Sequence, residues 1–187
     1  MSWRADFGRD VAAYRRASGG GTLKLILLEQ GLWALLEYRL AVAVYRSGWP
    51  KIIKWPVHVV LTLWHKLIEM ATGISLPCTV TAGPGLYLPH GGLRVVNAGV
   101  VLGADCVISQ GVTIGVSGRG ERRGVPRVGD RVYFGVNVVV VGKIVVGDDV
   151  LIGANSLVNR DVPAHCTVMG VPAVVVNQKG SEGYIAS

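Results

Sequence analysis

The sequence predicts a mainly β fold, a solenoid preceded by a short helical region, from the spacing of its apolar residues. These residues recur every six positions in the second half of the chain, and another apolar series runs two positions before them. The main series is Leu102, Ile108, Ile114, Val128, Phe134, Val140, Val146, Ile152 and Val158, and the preceding series is Val100, Cys106, Val112, Val132, Val138, Ile144 and Val150. A period of six fits neither an α-helix nor a hairpin meander, whereas a β-solenoid takes one short strand and one corner from each hexad.

Glycine directly after the main apolar position is a third observation behind the prediction. It stands at Gly103, Gly115, Gly129, Gly135, Gly147 and Gly153. The apolar columns would stack inside the coil, and we expect each glycine to take a corner where the backbone needs a positive φ.

The segment before the solenoid, residues 1–73, is predicted to be helical. Candidate helices run over 10–16, 22–46 and 56–70, with a Gly-Gly-Gly stretch and Pro50 as breaks between them. No uncharged apolar run in this region reaches the ~18 residues that a membrane-spanning helix needs.

The helical region is nevertheless rich in tryptophan, with lysine and arginine close by. The tryptophans are Trp33, Trp49, Trp55 and Trp64. Two interpretations stay open. The helices form a cap on the solenoid, which would suit a subunit contact, or one of them lies on a membrane surface as an amphipathic helix.

The solenoid is predicted over residues 74–176, with one interruption. Residues 116–125, VSGRGERRGV, are polar, glycine-rich and basic, so this segment leaves the stack as a loop. Long irregular loops on a regular scaffold often carry function. Residues 177–187 form a short polar tail that we expect to be mobile.

The composition favours an anionic partner, because the net charge is +7. Zinc-ligand spacing and RNA-recognition motifs are missing, so nucleic acid is not predicted as a partner. The three cysteines, Cys78, Cys106 and Cys166, form no close pair, and the first 21 residues are polar and charged. We therefore expect a cytoplasmic protein without disulfides or a signal peptide.

His90 is the strongest candidate for catalysis. It lies in LYLPHGGLRVV, where the six-residue phase slips by two positions before it resumes at Val96. A slip of this kind makes a bulge, and a bulge flanked by Pro89, Gly91 and Gly92 can direct a side chain outward. An imidazole there can take a proton from a hydroxyl at neutral pH, although a histidine that only caps a corner fits the same pattern.

Other catalytic and metal motifs are missing from the sequence. No serine has a GxSxG context, and GRGERRG in the loop lacks the GK[ST] ending of a phosphate-binding loop. His58 and His65 stand seven positions apart without a carboxylate cluster, so we predict packing rather than a metal site.

The solenoid segment resembles the catalytic part of serine acetyltransferases, a group of hexapeptide-repeat acyltransferases. The stretches that carry the resemblance are GISLPC, AGPGLYLPHGGLRVV, VISQGVTIG and the segment from GVPRVGDRVYFG to the superfamily ending GVPA. It covers residues 73–176, and WALLEYRLA is similar to the helical region of that family. The resemblance implies a left-handed parallel β-helix, a homotrimer, and acetyl-CoA bound in clefts between subunits. Because the helical region is short, we expect a single trimer.

The resemblance also assigns roles to single residues, without any metal. His90 would be the general base that deprotonates the acceptor hydroxyl. The residues expected beside acetyl-CoA are Gly135, Val136, Gly153 and Ala154 along its pantetheine arm, and Lys143 and Arg160 at its phosphates. The loop that carries Arg119, Arg122 and Arg123 would close over the site from the acceptor side.

The acceptor side departs from the pattern of the family. A family aspartate is replaced by Ser75, the family's Asp-His pair reads Pro89-His90, and its Arg-His-Pro-Lys reads Gly-Val-Pro-Arg at 124–127, with Val125 in place of the histidine. A site for a zwitterion needs charged partners, and these are the groups that would grip an amino acid.

With its short helical N-terminus and its His-Gly-Gly motif at 90–92, the sequence more closely resembles the branch of this family that acetylates sugars in exopolysaccharide or capsule synthesis. That resemblance implies a sugar hydroxyl as the acceptor of the acetyl group of acetyl-CoA. A lipid-linked saccharide would also explain a basic, Trp-rich N-terminal region at the inner face of a membrane. Two alternatives stay open: a serine O-acetyltransferase of cysteine biosynthesis, and an inactive solenoid that serves as a scaffold. The scaffold alternative rests on the absence of a partner that would orient His90, since an imidazole that nothing orients is a poorer base.

Overall fold

Four helices form the N-terminal region of the computed structural model, which describes residues 2–185 apart from the side chain of Arg122. They are α1 (Trp3–Ser18), α2 (Thr22–Leu28), α3 (Gln30–Tyr45) and α4 (Lys51–Thr72). The helix predicted over 22–46 is divided, because the backbone of Glu29 is extended between α2 and α3. The first helix is longer than predicted and begins at Trp3.

Helix α4 begins before Pro56, so the prediction that this helix starts at Pro56 is wrong. The first residue of α4 is Lys51, and Pro56 lies inside it. A proline at this place removes the single bond that its N–H would give to the carbonyl of Ile52. Packing of α4 against α3 stabilises the helix, which is how most helices in proteins gain their stability.

Short strands follow the helices and lie on three sheets. The strands are β1 (Ile74–Ser75), β2 (Thr81–Ala82), β3 (Arg94–Val96), β4 (Val101–Leu102), β5 (Val107–Ile108), β6 (Thr113–Gly115), β7 (Arg127–Val128), β8 (Tyr133–Phe134), β9 (Val139–Val141), β10 (Val145–Val146), β11 (Leu151–Ile152), β12 (Leu157–Val158), β13 (Thr167–Gly170) and β14 (Ala173–Asn177). Sheet A contains β1, β3, β6, β9 and β12, sheet B contains β2, β4, β7 and β10, and sheet C contains β5, β8, β11, β13 and β14. All neighbouring strands are parallel except β13 and β14.

The pairing register shows that one coil takes eighteen residues, as between Val95 and Thr113 in sheet A. Two coils are longer. Thr113 pairs with Val139, twenty-six positions later, because a loop leaves the stack between them. Ile74 pairs with Arg94, twenty positions later, so this coil holds two additional residues.

Both apolar series lie inside the coil, which confirms the predicted solenoid. Every member of the main series is at most 5% exposed, and every member of the preceding series is at most 8% exposed. Burying one such side chain contributes about 1.5–3 kcal/mol relative to leaving it in water. The same cluster continues into the helical region through Tyr14, Leu32 and Leu35, so the helices and the solenoid share one core.

The glycines after the main series have a different role from the predicted one, because none of the six has a positive φ. The positive φ comes two positions later in the hexad, at Asp105, Arg131, Asn137, Asp149 and Asn155. Neighbouring coils approach so closely that a Cβ on Gly135 would lie 2.7 Å from the amide nitrogen of Ala154. A Cβ on Gly147 would lie 2.5 Å from that of Ala164. Most of these glycines are therefore required for stacking, and only at Gly115 would a Cβ make ordinary van der Waals contacts, at 3.9 Å from Thr113 and Val141.

A buried ion pair docks α1 and α3 on the first coil. Arg39 of α3 makes two hydrogen bonds to the carboxylate of Asp10 in α1, at 2.8 and 3.0 Å, and both side chains are almost fully buried. Both groups are also bound to the backbone of the coil. The Asp10 carboxylate accepts bonds from the N–H groups of Gly85 and Leu86, and Arg39 donates to the carbonyls of Ala82 and Gly83.

A second polar contact joins α3 to α4. Nδ1 of His65 lies 3.0 Å from Oε2 of Glu37, whose side chain is buried. The hydrogen bond to Glu37 raises the pKa of His65 above its ordinary value of 6.5, while partial burial opposes this rise. Glu69 and Lys66, which have smaller and opposite effects on this pKa, are the other charged groups nearby.

The His65–Glu37 contact is expected to make stability depend on pH. Because folding raises the pKa of His65, its contribution is complete below about pH 6.5 and is lost as the pH rises through the raised value. The melting temperature of the wild type should therefore exceed that of His65→Gln by more at pH 6 than at pH 9. Equal differences at both pH values would contradict this assignment.

The described part of the C-terminal tail is bound along the solenoid, in contrast to the mobile tail that we predicted. Ser181 Oγ donates to the carbonyl of Arg131 at 2.6 Å, and Ser181 N–H donates to the carbonyl of Asp149 at 3.0 Å. The rings of Tyr184 and Tyr133 are 5.3 Å apart. Carbonyl groups at the corners of successive coils thus provide acceptors for the tail, whose last two residues lie outside the described range.

Helix α4 carries an apolar stripe that faces solvent, which we call the α4 face. Its residues are Ile52, Trp55, Val59, Val60, Leu63, Leu67 and Met70, each at least 40% exposed. Their spacing of three and four positions places them on one side of the helix. Across residues 2–185, none of the helices combines the length and apolar character that a bilayer crossing requires.

Candidate active site

The two additional residues of the first coil form a bulge that presents His90 to solvent. Tyr87 pairs with Val107 and Ile74 pairs with Arg94, and each pair is twenty positions apart. The two intervals share residues 87–94, so the additional residues lie in that segment. His90 is exposed and has a φ of 63°, a left-handed conformation that few residues other than glycine adopt. The structure therefore contains the bulge that the phase slip predicts.

The guanidinium of Arg94 holds this bulge from inside the coil. Arg94 is 1% exposed and donates hydrogen bonds to four backbone carbonyls. Nη1 lies 3.2 Å from the carbonyl oxygens of His90 and Gly92, Nη2 donates to that of Pro89, and Nε lies 2.8 Å from that of Ile108. Burial lowers the pKa of Arg94 from its ordinary value.

The helical region supports the same segment from the other side. The hydroxyl of Tyr14 donates to the carbonyl of Leu88 at 2.8 Å. Helix α3 approaches so closely that a Cβ on Gly31 would lie 2.6 Å from that carbonyl oxygen. The side chain of Gln30 lies next to Gly91. The chain before His90 is thus held by a buried hydrogen bond, and the chain after it lies against the side chain of Gln30.

Four successive coils place His90 and part of the predicted acetyl-CoA site in one row along the corner between sheets C and A. Gly92 lies against Gln110 of the next coil, and Gln110 accepts a bond from the N–H of Asn137 at 3.0 Å. Val136 accepts a bond from the N–H of Asn155 in the following coil at 2.8 Å. Adjacent strands lie about 4.8 Å apart, so the row climbs by that amount per coil. We call it the His90 row; its members are His90, Gln110, Val136 and Ala154.

The small residues predicted beside the pantetheine arm all belong to this corner. Gly135 and Gly153 are buried, Val136 is half-buried, and Ala154 is exposed. Coil stacking already accounts for both glycines, since a Cβ on either would meet the next coil. Val136 and Ala154 are therefore the two of the four that a ligand can reach.

The predicted phosphate and loop residues lie at another corner, between sheets A and B. Lys143 follows β9, Arg160 follows β12 and the loop follows β6, so all three occupy the edge where sheet A ends. Lys143, Arg160, Arg119 and Arg123 are exposed, and the side chain of Arg122 lies outside what the structure describes. Within one chain the width of sheet A therefore separates these cations from the His90 row.

The base of the loop packs closely against Lys143 at this corner. A Cβ on Gly124 would lie 2.7 Å from the Cβ of Lys143, so the lysine stem packs directly against the loop. Val125 is half-buried, with Cγ2 facing Gly99. Neither Gly124 nor Val125 can supply a charge, as the sequence indicates.

On the acceptor side, the structure adds a carboxylate that sequence reasoning missed. Ser75 pairs with Val95 in sheet A, and its hydroxyl lies near the carboxylate of Glu69 at the end of α4. The Lys66 ammonium, 2.6 Å away, and then the Ser75 hydroxyl hold the pKa of Glu69 below its ordinary value. A negative charge is thus present beside Ser75. It comes from the last part of α4, whereas in the family pattern the aspartate stands at the position of Ser75 itself.

Two groups, Arg94 and Glu69, escaped the sequence analysis for different reasons. Arg94 stands two positions before Val96, in the inward series of Val100 and Cys106, and a charged residue at an inward position was a readable signal. Glu69 gave no such signal, because only the packing of α4 brings it to Ser75. No group of His, Cys, Asp and Glu side chains within the described residues is arranged to hold a metal ion.

Curated proteins with similar sequences are serine acetyltransferases, while no protein-family model matches the chain. The enzyme of Synechococcus elongatus is 33% identical over 178 residues, which are 95% of this chain and 67% of that protein. The enzyme of Helicobacter pylori strain J99 is 34% identical over 155 residues, which are 83% of this chain and 86% of that protein.

Solved structures of serine acetyltransferases have the same fold. The Neisseria gonorrhoeae enzyme in complex with serine matches with a TM-score of 0.76 at 30% identity, over 93% of this chain and 69% of that one. A serine acetyltransferase in complex with CoA matches with a TM-score of 0.78 at 26% identity, over 94% and 70%. The chain therefore belongs to the serine acetyltransferase family of hexapeptide-repeat acyltransferases, and it is an O-acetyltransferase that uses acetyl-CoA.

Proposed function

We propose that this enzyme transfers the acetyl group of acetyl-CoA to the hydroxyl of L-serine. The observation that carries the proposal is the exposed imidazole of His90 at one end of the His90 row, in a chain similar to serine acetyltransferases over nearly its whole length. Serine thus replaces the sugar that the sequence analysis favoured, because the comparisons name serine and none of those described above names a sugar.

In the proposed reaction, neutral His90 takes the proton of the acceptor hydroxyl while the oxygen attacks the thioester carbonyl carbon. The new C–O bond gives a tetrahedral oxyanion, which collapses as the C–S bond breaks. The imidazolium returns its proton to the departing CoA thiolate, so the products are the acetyl ester and free CoA thiol. Val136 and Ala154 would border the pantetheine arm, and Lys143 and Arg160 would meet the phosphates.

We also propose that the active enzyme is a homotrimer. The His90 row and the predicted phosphate residues lie at different corners of one chain, and a cleft between two copies can bring such corners together. A ring of three identical subunits closes without leaving an open interface. The arginine loop of one copy would then lie over the His90 row of its neighbour.

The acceptor is tested by thiol release from acetyl-CoA with L-serine and then with a panel of saccharides. The expected result is release with L-serine, together with a product whose mass equals that of serine plus one acetyl group. Release with saccharides alone would reject the proposal in favour of the second candidate. D-Serine is the matched control, because it has the same charges and hydroxyl in the wrong arrangement.

The second candidate is a neutral hydroxyl acceptor such as a sugar or a lipid-linked saccharide. The uncharged residues Ser75, Pro89, Gly124 and Val125 favour it, since a charged acceptor loses partners at each of these places. The α4 face favours it as well. The α4 face would allow a cytoplasmic enzyme to work at the inner face of a membrane, where a lipid-linked acceptor is held.

We therefore propose an anionic membrane surface as the partner of the α4 face. Lys51 and Lys66 flank the stripe, the chain carries a net charge of +7, and Trp55 is 72% exposed on it. Basic residues beside an apolar face with tryptophan are typical of helices that lie in the lipid headgroup region.

Vesicle sedimentation is expected to show binding to phosphatidylglycerol vesicles and weaker binding to phosphatidylcholine vesicles. The double variant Leu63→Gln/Leu67→Gln should abolish binding, whereas Val174→Gln, an equally exposed apolar residue on β14, should not. Absence of vesicle binding, with light scattering that shows an assembly larger than a trimer, would assign the α4 face to a second copy instead.

A further inference from the structure

The guanidinium of Arg94 is buried without a carboxylate partner. No ion pair in the described part of the chain includes it, and its side chain lies among the inward residues of the coil. Each neighbour in its series, Val100, Cys106 and Val112, is apolar. An apolar residue would fill this position without the cost of burying a charge, so the arginine must serve a purpose other than filling the core.

The hydrogen bonds of Arg94 show what that purpose is. Three of the four carbonyls that it binds belong to Pro89, His90 and Gly92, which form the bulge, and the fourth belongs to the next coil. Only a planar fork with several donors can bind so many acceptors at once. Because these three carbonyls are drawn inward, the side chain of His90 is left pointing outward.

The conformation that Arg94 holds is one that the chain would not keep by itself. His90 has a φ of 63°, and a left-handed conformation costs about 1–2 kcal/mol for a residue with a side chain. The bulge is also exposed from His90 to Leu93, so little packing fixes it from outside. The buried guanidinium and the Tyr14 contact with Leu88 supply the restraint from within.

We propose that Arg94 is a positioning residue that fixes the backbone of residues 89–92 and thereby aims the His90 imidazole at the acceptor hydroxyl. This inference rests on the proposed function for its catalytic consequence. Arg94 does not touch a reacting atom. It takes the place of the partner that the sequence lacks for His90, but it acts on the main chain of the histidine rather than on its ring.

The test compares Arg94→Met, which keeps the volume, with Arg94→Lys, which keeps the charge but cannot bridge the same carbonyls. The value of kcat should fall about 100-fold in Arg94→Met, the scale of an ~1 Å misplacement of a catalytic group. The KM for acetyl-CoA should stay within about twofold of the wild-type value, because the residues of the His90 row that would border acetyl-CoA lie in other coils. Arg94→Lys should recover little of the loss.

A crystal structure of Arg94→Met gives a readout that does not depend on activity. The segment 89–92 should lose its single conformation, while the apolar columns stay in place. Cys106→Ala is the matched control, because it also alters the inward series and has no bond to the bulge. It should leave both kcat and the bulge unchanged.

The outcomes separate the two proposals. An unchanged bulge in Arg94→Met would overturn the positioning role, and so would a displaced bulge with wild-type kcat. If the wild type released no thiol with any acceptor, the proposed function would fail. The crystal structure of Arg94→Met alone would then decide whether Arg94 restrains residues 89–92.

Discussion

His90→Ala is expected to lower thiol release from acetyl-CoA by about 10²- to 10⁴-fold, the usual contribution of a general base. The imidazole is exposed on a bulge that buried contacts hold in place, so its removal should leave the fold intact. The melting temperature should therefore change little, and the loss should appear in kcat. Steady-state rates at saturating acetyl-CoA and L-serine measure the effect.

His165→Ala is the matched control for this experiment. His165 is also an exposed histidine with a left-handed backbone, with a φ of 57°, but it lies at the other end of the solenoid near its C-terminal coil. Its removal should leave the rate within about twofold of the wild type. Equal losses in both variants, or an unchanged rate in His90→Ala, would exclude His90 as the base and assign proton transfer to another group.

Asp10→Ala is expected to reduce the free energy of unfolding by about 3–5 kcal/mol, because it leaves the buried guanidinium of Arg39 without its counter-ion. The backbone N–H groups of Gly85 and Leu86 lose their acceptor in the same step. Urea unfolding at a fixed protein concentration measures the change, since the concentration matters for an oligomer. Lys66→Gln, which breaks an exposed pair, should cost less than about 1 kcal/mol.

The double variant Asp10→Leu/Arg39→Met separates a buried ion pair from a simple packing defect. Removing both charges avoids the unpaired guanidinium, so the double variant should be more stable than Asp10→Ala. A loss in Asp10→Ala no larger than in Lys66→Gln would show that α1 is not docked by this pair. It would also weaken the link between the helical region and the bulge, since Tyr14 belongs to the same helix.

The six-residue spacing was sufficient to predict the solenoid and its inward columns, because one strand and one corner per hexad admit few other arrangements. The reason for the glycines was not predicted correctly. A sequence shows where glycine stands, but the 2.7 Å approach of Ala154 to a Cβ on Gly135 depends on how the coils stack. The ends of α1 and α4 were missed because tertiary packing, rather than local propensity, decides them.

The candidate site was predicted in part. The phase slip at His90 was readable, since two additional residues in one coil must form a bulge. The His90 row could not be derived from the spacing alone, because it depends on the register across a twenty-six-residue coil. Glu69 was missed since it reaches Ser75 from another element, and Arg94 was overlooked although its inward position marked it.

The loop at residues 116–125 has a consequence for how such an enzyme can change. It adds eight residues to one coil, yet Thr113 and Val139 still pair in register above and below it. Insertions at this edge therefore alter neither the interior nor the neighbouring corners. In the proposed trimer this loop lies over the His90 row of a neighbour, so exchanging it would change the surroundings of the acceptor without moving the stacked coils. Grafting the loop from a relative and measuring the rate with each acceptor would test this consequence.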